Sequence, residues 1–202
     1  MKRSILGAIG LALAIAATPA LAQQPQIVRV RGTIESVDAH TLAIKTRDGA
    51  IATMALKENL PIRGLERKSL NDVKPGVFVG ITAMPQPDGT QKAIEIHIFP
   101  EAMRGTGEGH RPWDLKPNST MTNGNIDSAV ASVEGQELVL KYKDGEKKFS
   151  IPANIEVVMF VPATVADLKP GEKVFVAAKK LPDGSIEPQF ITVGHDGINP
   201  PM

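Results

Sequence analysis

The sequence predicts an all-β protein built as two tandem five-stranded OB-like barrels, each with one short helical turn. Three observations carry that expectation. Eighteen glycines and 16 prolines in 202 residues punctuate the chain and leave few long stretches of helical periodicity. In "TLAIKTRDG" and "ELVLKYKDG" apolar residues recur at every second position and then meet an Asp-Gly pair, the mark of half-buried strands entering hairpin turns. Finally, the chain repeats itself. "RGTIESVDAHTLAIKTRDG" is answered by "NGNIDSAVASVEGQELVLKYKDG", "SLNDVKPG" by "TVADLKPG" and "QPDGT" by "LPDGS". Lys74-Pro75-Gly76 recurs as Lys169-Pro170-Gly171 and Asp88-Gly89 as Asp183-Gly184. That spacing is too long for a solenoid unit and suits duplication of a whole small domain.

Residues 1–22, "MKRSILGAIGLALAIAATPALA", read as a cleaved signal peptide. Lys2 and Arg3 precede an apolar run that ends in the small-x-small site Ala20-Leu21-Ala22. No cysteine follows the cleavage point, which excludes a lipoprotein anchor. The expected location is the periplasm. No later run approaches the ~20 apolar residues of a spanning helix, so no membrane insertion is expected after cleavage. Cleavage takes the 23 basic residues to 21 against 22 acidic ones, a formal charge of −1. A near-neutral chain is poorly suited to grip a polyanion, so nucleic acid is not an expected partner. Zero cysteines also remove disulfides, thiolate-bound zinc and thiol catalysis.

The first barrel is expected over 23–98, with strands at 27–37, 41–47, 51–56, 77–84 and 92–98. A helical turn near 69–73 is capped by Ser69, carries Asp72 three residues later and stops at Lys-Pro-Gly. The second barrel, 121–195, has strands at 121–131, 137–143, 147–151, 173–180 and 186–193, with a turn near 164–168 under Thr164 and Asp167. Each Asp-Gly is expected to make a two-residue turn with both central residues at positive φ. Five strands with a helical turn between the third and fourth is the OB order. An open β-roll or sandwich shares that pattern; closure is preferred because it removes sheet edges. Residues 196–202 read as a C-terminal tail.

The paired "G-x-I-x-S" starts, the Asp-Gly hairpins and the "D-[VL]-K-P-G" turns resemble a family of exported bacterial proteins of unknown function with repeated OB-like β-barrel domains. The resemblance covers most of both repeats and implies fold and address. It implies no chemistry.

Candidate sites are few. In "KYKDGEKKF", Lys141, Lys143, Lys147 and Lys148 could attract an oligonucleotide, and Tyr142 and Phe149 could stack on it. Alternation instead turns both aromatics towards the core and leaves the lysines as a solvated face. Catalysis has no signature. Asp72 and Asp167 occupy capping positions, "GTGEGH" lacks the strand–turn–helix setting of a dinucleotide loop, and no carboxylate pair marks a glycosidase. The protein reads as a non-enzyme with no cofactor. Metal is the alternative: Met103 and His110, with Glu108 or His97, could offer thioether and imidazole to a copper-type ion. An enzyme acting on envelope glycans ranks third.

The sharpest feature is the connector 99–120, "FPEAMRGTGEGHRPWDLKPNST", which holds the single tryptophan, Trp113. A disordered tether should be polar and lack aromatics. The connector is therefore expected to be a latch, with Trp113 in a groove between the barrels and Arg111 or Asp114 pairing across it. Arg104, His110, Arg111, Trp113 and Asp114 are the residues expected to line that groove. The expected function is binding or adapting, to an envelope protein or a small ligand.

Overall fold

The computed structural model describes residues 26–132 and 135–200; the signal peptide expected over 1–22 lies outside them. The chain is all-β. Its strands are β1 (Gln26–Val37), β2 (Thr41–Thr46), β3 (Ile51–Ala55), β4 (Ile62–Lys68), β5 (Phe78–Pro85), β6 (Gln91–Ile98), β7 (Gly109–Pro112), β8 (Thr120–Ser132), β9 (Gly135–Tyr142), β10 (Gly145–Pro152), β11 (Glu156–Pro162), β12 (Lys173–Lys180) and β13 (Ile186–Gly194). Short 3-10 turns occupy Leu70–Asp72, Glu101–Met103 and Val165–Asp167.

The strands hydrogen-bond in the order β10-β9-β8-β5-β6-β11-β4-β13-β12-β1-β2-β3. A parallel pairing of β10 with β6 closes β10, β9, β8, β5 and β6 into a five-stranded barrel. At the other end β3, β2, β1, β12 and β13 curl so that β13 lies against β3. Each group takes three strands from one repeat and two from the other. The expectation that 23–98 and 121–195 each form their own barrel is corrected by these ladders. β5 pairs with β8 instead of β1, and β1 pairs with β12. Alternation specifies which face of a strand is buried but not which equivalent strand lies beside it.

The duplication persists in the register. Gly32 on β1 faces Val174, and Gly124 on β8 faces Val79. A bulge between Ile34 and Ser36 recurs between Ile126 and Ser128, and one between Thr82 and Ala83 recurs between Ala177 and Ala178. The halves meet at β4 and β11, two strands absent from the sequence expectation. They run antiparallel with Leu65 opposite Phe160. β4 adds parallel to β13, and β11 adds parallel to β6. "IRGLERK" breaks the two-residue period with Gly64 and a run of three charged residues, and "EVVMFVP" is apolar without alternation, so neither displays a half-buried strand pattern.

Three apolar clusters follow from this arrangement. Val79, Ile81, Ile96, Leu138, Leu140 and Phe149 fill the closed barrel. Ile34, Leu42, Ile44, Val176, Ile191 and Val193 fill the second group. The third lies between them and contains Leu65, Phe78, Phe99, Phe160, Phe175 and Ile198. Ile198 corrects the C-terminal tail: it is buried, and its amide donates to the His195 carbonyl at 2.9 Å.

The hairpin turns differ from expectation in one respect. At Asp48-Gly49, Asp88-Gly89 and Asp183-Gly184 the glycine alone has positive φ (88°, 85° and 85°). The loops have three residues: Thr46 donates to the Ala50 carbonyl at 2.8 Å, and Gln86 to that of Thr90 at 2.9 Å. A type I turn followed by a left-handed glycine needs only one residue at positive φ.

The helical turns are capped as expected. The Asp72 carboxylate accepts the Ser69 backbone N–H at 2.9 Å and its hydroxyl at 3.0 Å, and Asp167 accepts the same groups of Thr164 at 2.7 and 3.1 Å. The backbone donors lead in holding both carboxyls below the ordinary value of 3.8. The stability they contribute is complete above that value and is lost as pH falls through the lower folded one. A thermal midpoint flat above about pH 5 and falling below it is expected, with a shallower fall for the Asp72→Asn/Asp167→Asn variant. An identical acid slope in that variant would show that the caps do not carry the effect.

Candidate ligand-binding cavity

A cavity of about 850 Å³ opens in the third cluster, between the two strand groups. Such a volume suits a small organic ligand. Phe99, Phe160, Phe175 and Phe190 form its apolar wall with Met103 and Met121. The rings interlock: Phe99 lies 5.2 Å from both Phe78 and Phe160, and Phe175 lies 6.0 Å from Phe190.

Beside the cavity, equivalent rows of the two repeats have diverged. On one side Arg31, Phe175, Thr192 and Arg63 lie abreast across β1, β12, β13 and β4. The equivalent row on the other side runs Asn123, Gly80 and His97, then Val158. Gly80 stands where the other row has Phe175, and the ring's volume is given up to its neighbours. A Cβ on Gly80 would lie 2.0 Å from His97 Nε2 and 2.7 Å from Asn123 Oδ1. Both side chains lean over the glycine and line the cavity.

Polar groups in the wall are placed by specific partners. His97 Nδ1 lies 3.3 Å from Glu95 Oε2, and the Thr82 hydroxyl also donates to Glu95. Asn123 Nδ2 donates to the Thr106 carbonyl at 3.0 Å, which fixes the amide orientation and leaves Oδ1 buried with no partner in the protein. Trp113 Nε1 is likewise buried without an acceptor. Buried polar atoms are nearly always hydrogen-bonded, so two orphans on one cavity wall are informative.

Three guanidiniums line the cavity, and none of its lining residues is acidic. The Arg63 guanidinium sits 3.9 Å over Phe160 and 4.4 Å over Phe190, and Nε donates to Thr192 Oγ1 at 2.8 Å. Burial lowers its pKa to about 10. Arg29 stacks 4.0 Å over Trp113, and Arg111 approaches the same ring at 5.5 Å. Burial, and then the charge of Arg29, hold the Arg111 pKa below its usual value.

The connector is ordered where it is described. β7 pairs with β8, and Trp113 donates its amide to the Ser119 carbonyl at 2.7 Å. Of the five residues expected in the groove, Arg111 and Trp113 line the cavity. Asp114 reaches across to β1, with Arg31 Nη2 at 2.7 Å and Arg29 Nη1 at 3.4 Å. Burial opposes its ionisation, but the Arg31 hydrogen bond and the charges of Arg31 and Arg29 outweigh it and lower the pKa. At 47% side-chain exposure the pair is worth only ~0–1 kcal/mol, so it orients the connector more than it stabilises it. Arg111 donates to the Gly107 carbonyl at 2.7 Å, and its own partner lies within the connector. Arg104 is occupied elsewhere, by Glu101, Asn125 and the Gly76 carbonyl.

His110 also points away from the cavity. Its Nδ1 lies 2.7 Å from Thr122 Oγ1, and its ring stacks 6.5 Å from Tyr142. Burial, then the charges of Lys147 and Arg111, lower its pKa. Met103 and His97 do line the cavity, so the structure separates the trio weighed for copper. Among the described residues no three His, Asp or Glu side chains converge in a metal-holding group. Tyr142 is a correction: Phe149 is in the core, but Tyr142 is only partly buried against His110.

Arg29, Arg63, Asn123 and the four phenylalanines are cavity residues that sequence reasoning missed. One cue was present: "VRVRG" places Arg29 and Arg31 together on the face opposite Val28 and Val30. No family model, no curated protein and no solved structure matches this chain. The cavity alone speaks for function.

Proposed function

We propose that this is a non-enzymatic binding protein that holds a small ligand in the cavity between its strand groups. The reading includes export to the periplasm, on the leader-like sequence of residues 1–22. One observation carries it. An aromatic cavity of about 850 Å³ contains a buried indole N–H and a buried amide oxygen with no protein partner. A preformed apolar cavity with a few convergent polar groups is the usual architecture of a small-molecule site.

The test is uptake of the neutral fluorophore N-phenyl-1-naphthylamine. Trp113, the only tryptophan, lines the cavity and can donate energy to it. Saturable uptake at one site, with quenched Trp113 emission, is expected. Linear, unsaturable partitioning with unchanged Trp113 emission would overturn the proposal.

A further inference from the structure

The polar groups of the cavity are not spread evenly, and their distribution describes a ligand. At one end the connector loop gathers them around Gly107. A Cβ on Gly107 would lie 3.2 Å from Asn123 Nδ2 and 3.3 Å from Arg111 Nη2, so both side chains reach it, with Asn123 Oδ1 turned towards Gly80 and His97. Trp113 is flanked by Arg29 and Arg111. The other end is the phenylalanine wall, where Arg63 lies over Phe160 and Phe190 with its Nε already donating to Thr192 Oγ1. An occupant therefore needs a polar head and an apolar body.

The signs of the head are also given. Trp113 Nε1 and the arginines only donate, so they ask for an acceptor. Arg29 and Arg111 crowd two positive charges about one ring, and no acidic residue lines the cavity. An anion between them relieves their repulsion. Asp114 offsets part of this charge from outside the cavity, through Arg29 and Arg31. Asn123 Oδ1 only accepts, and the Thr106 carbonyl prevents the amide from flipping to offer its nitrogen. It asks for a donor. A bare carboxylate leaves that oxygen unpaired; a hydroxyl beside the carboxylate satisfies it.

Resting on the binding function proposed above, we infer that the ligand is an amphipathic hydroxy acid. Its carboxylate is held by Arg29, Arg111 and Trp113 Nε1, its hydroxyl donates to Asn123 Oδ1, and its hydrocarbon body lies on Phe99, Phe160, Phe175 and Phe190. Recognition of a head of this kind by guanidinium and indole N–H needs no metal.

The experiment compares four ten-carbon probes on the purified protein by Trp113 emission and calorimetry: β-hydroxydecanoate, decanoate, decanol and decyltrimethylammonium. The two acids should bind more tightly than the alcohol by about tenfold or more, the scale of one charge-assisted hydrogen bond. The ammonium should bind weakest. β-Hydroxydecanoate should exceed decanoate by several-fold, and Asn123→Ala should erase that difference. Arg111→Gln should weaken both acids about tenfold and leave decanol unchanged. Equal affinity for acid and alcohol would overturn the inference while the cavity still binds. Equal affinity for the two acids would overturn the hydroxyl assignment. Failure of all four probes would overturn the binding function itself.

Discussion

Replacing Phe160 with alanine is expected to cost about 3–5 kcal/mol, the usual loss for a phenylalanine removed from a core. Its ring is 2% exposed and lies at the centre of the β4–β11 pair, opposite Leu65. It touches His97 and Phe99 with centroids 5.2 Å away and carries the Arg63 guanidinium 3.9 Å above its face. Removal takes the ring's own burial, its tilted contacts with His97 and Phe99 and the surface on which a largely buried cation rests. The new void would join the cavity already present, so the surroundings have little means of collapsing into it. Urea denaturation of Phe160→Ala is the measurement. A loss under about 1 kcal/mol would show that the centre is looser than its packing implies.

A second large effect is expected at two small residues. Gly32 and Gly124 are equivalent positions on β1 and β8, just before the repeated bulges. A Cβ at Gly32 would lie 2.2 Å from the Lys45 carbonyl oxygen, and one at Gly124 would lie 2.5 Å from that of Lys141. Those obstacles are backbone in the partner strands of the same hairpins, so they cannot rotate aside. Gly32→Ala and Gly124→Ala should each cost at or above the upper end of the ~1–3 kcal/mol typical of overpacking. Gly49→Ala is the control. Nothing lies within 4 Å of that Cβ, and only its φ of +88° opposes the change. It should cost about 1–2 kcal/mol, the ordinary strain of a left-handed residue. Equal losses at Gly32 and Gly49 in thermal melts would mean that the strands separate easily at the bulge.

These residues also mark how far the sequence could be read. Gly32 and Gly124 are visible as repeat landmarks, and the need for glycine there follows only from the crossing of two backbones. The capping pairs Ser69/Asp72 and Thr164/Asp167 were legible because a cap is local, made by groups three residues apart. Trp113 was legible for a different reason: an aromatic side chain in a glycine-rich connector has no use unless it packs. Its partner Arg29, and Arg31 on the neighbouring Asp114, come from β1, and no spacing rule connects them. His110 looked like a site residue by proximity in sequence, yet strand alternation in β7 sends it and Arg111 to opposite faces.

By itself the sequence determined the all-β class and ten of the thirteen strands of the described residues, and it displayed the repeated segments. Each is written in short-range chemistry: a period of two, a turn glycine, a capping carboxylate, a repeated landmark. Only the tertiary structure decided that the repeats exchange strands, that β4 and β11 join the halves, and that a cavity lined by Arg29, Arg63, Arg111, Asn123 and Trp113 lies between the strand groups. The physical reason is degeneracy. Duplicated strands carry the same alternation and the same edges, so local pattern gives either partner the same face to bury. The choice between them depends on contacts summed over the whole sheet.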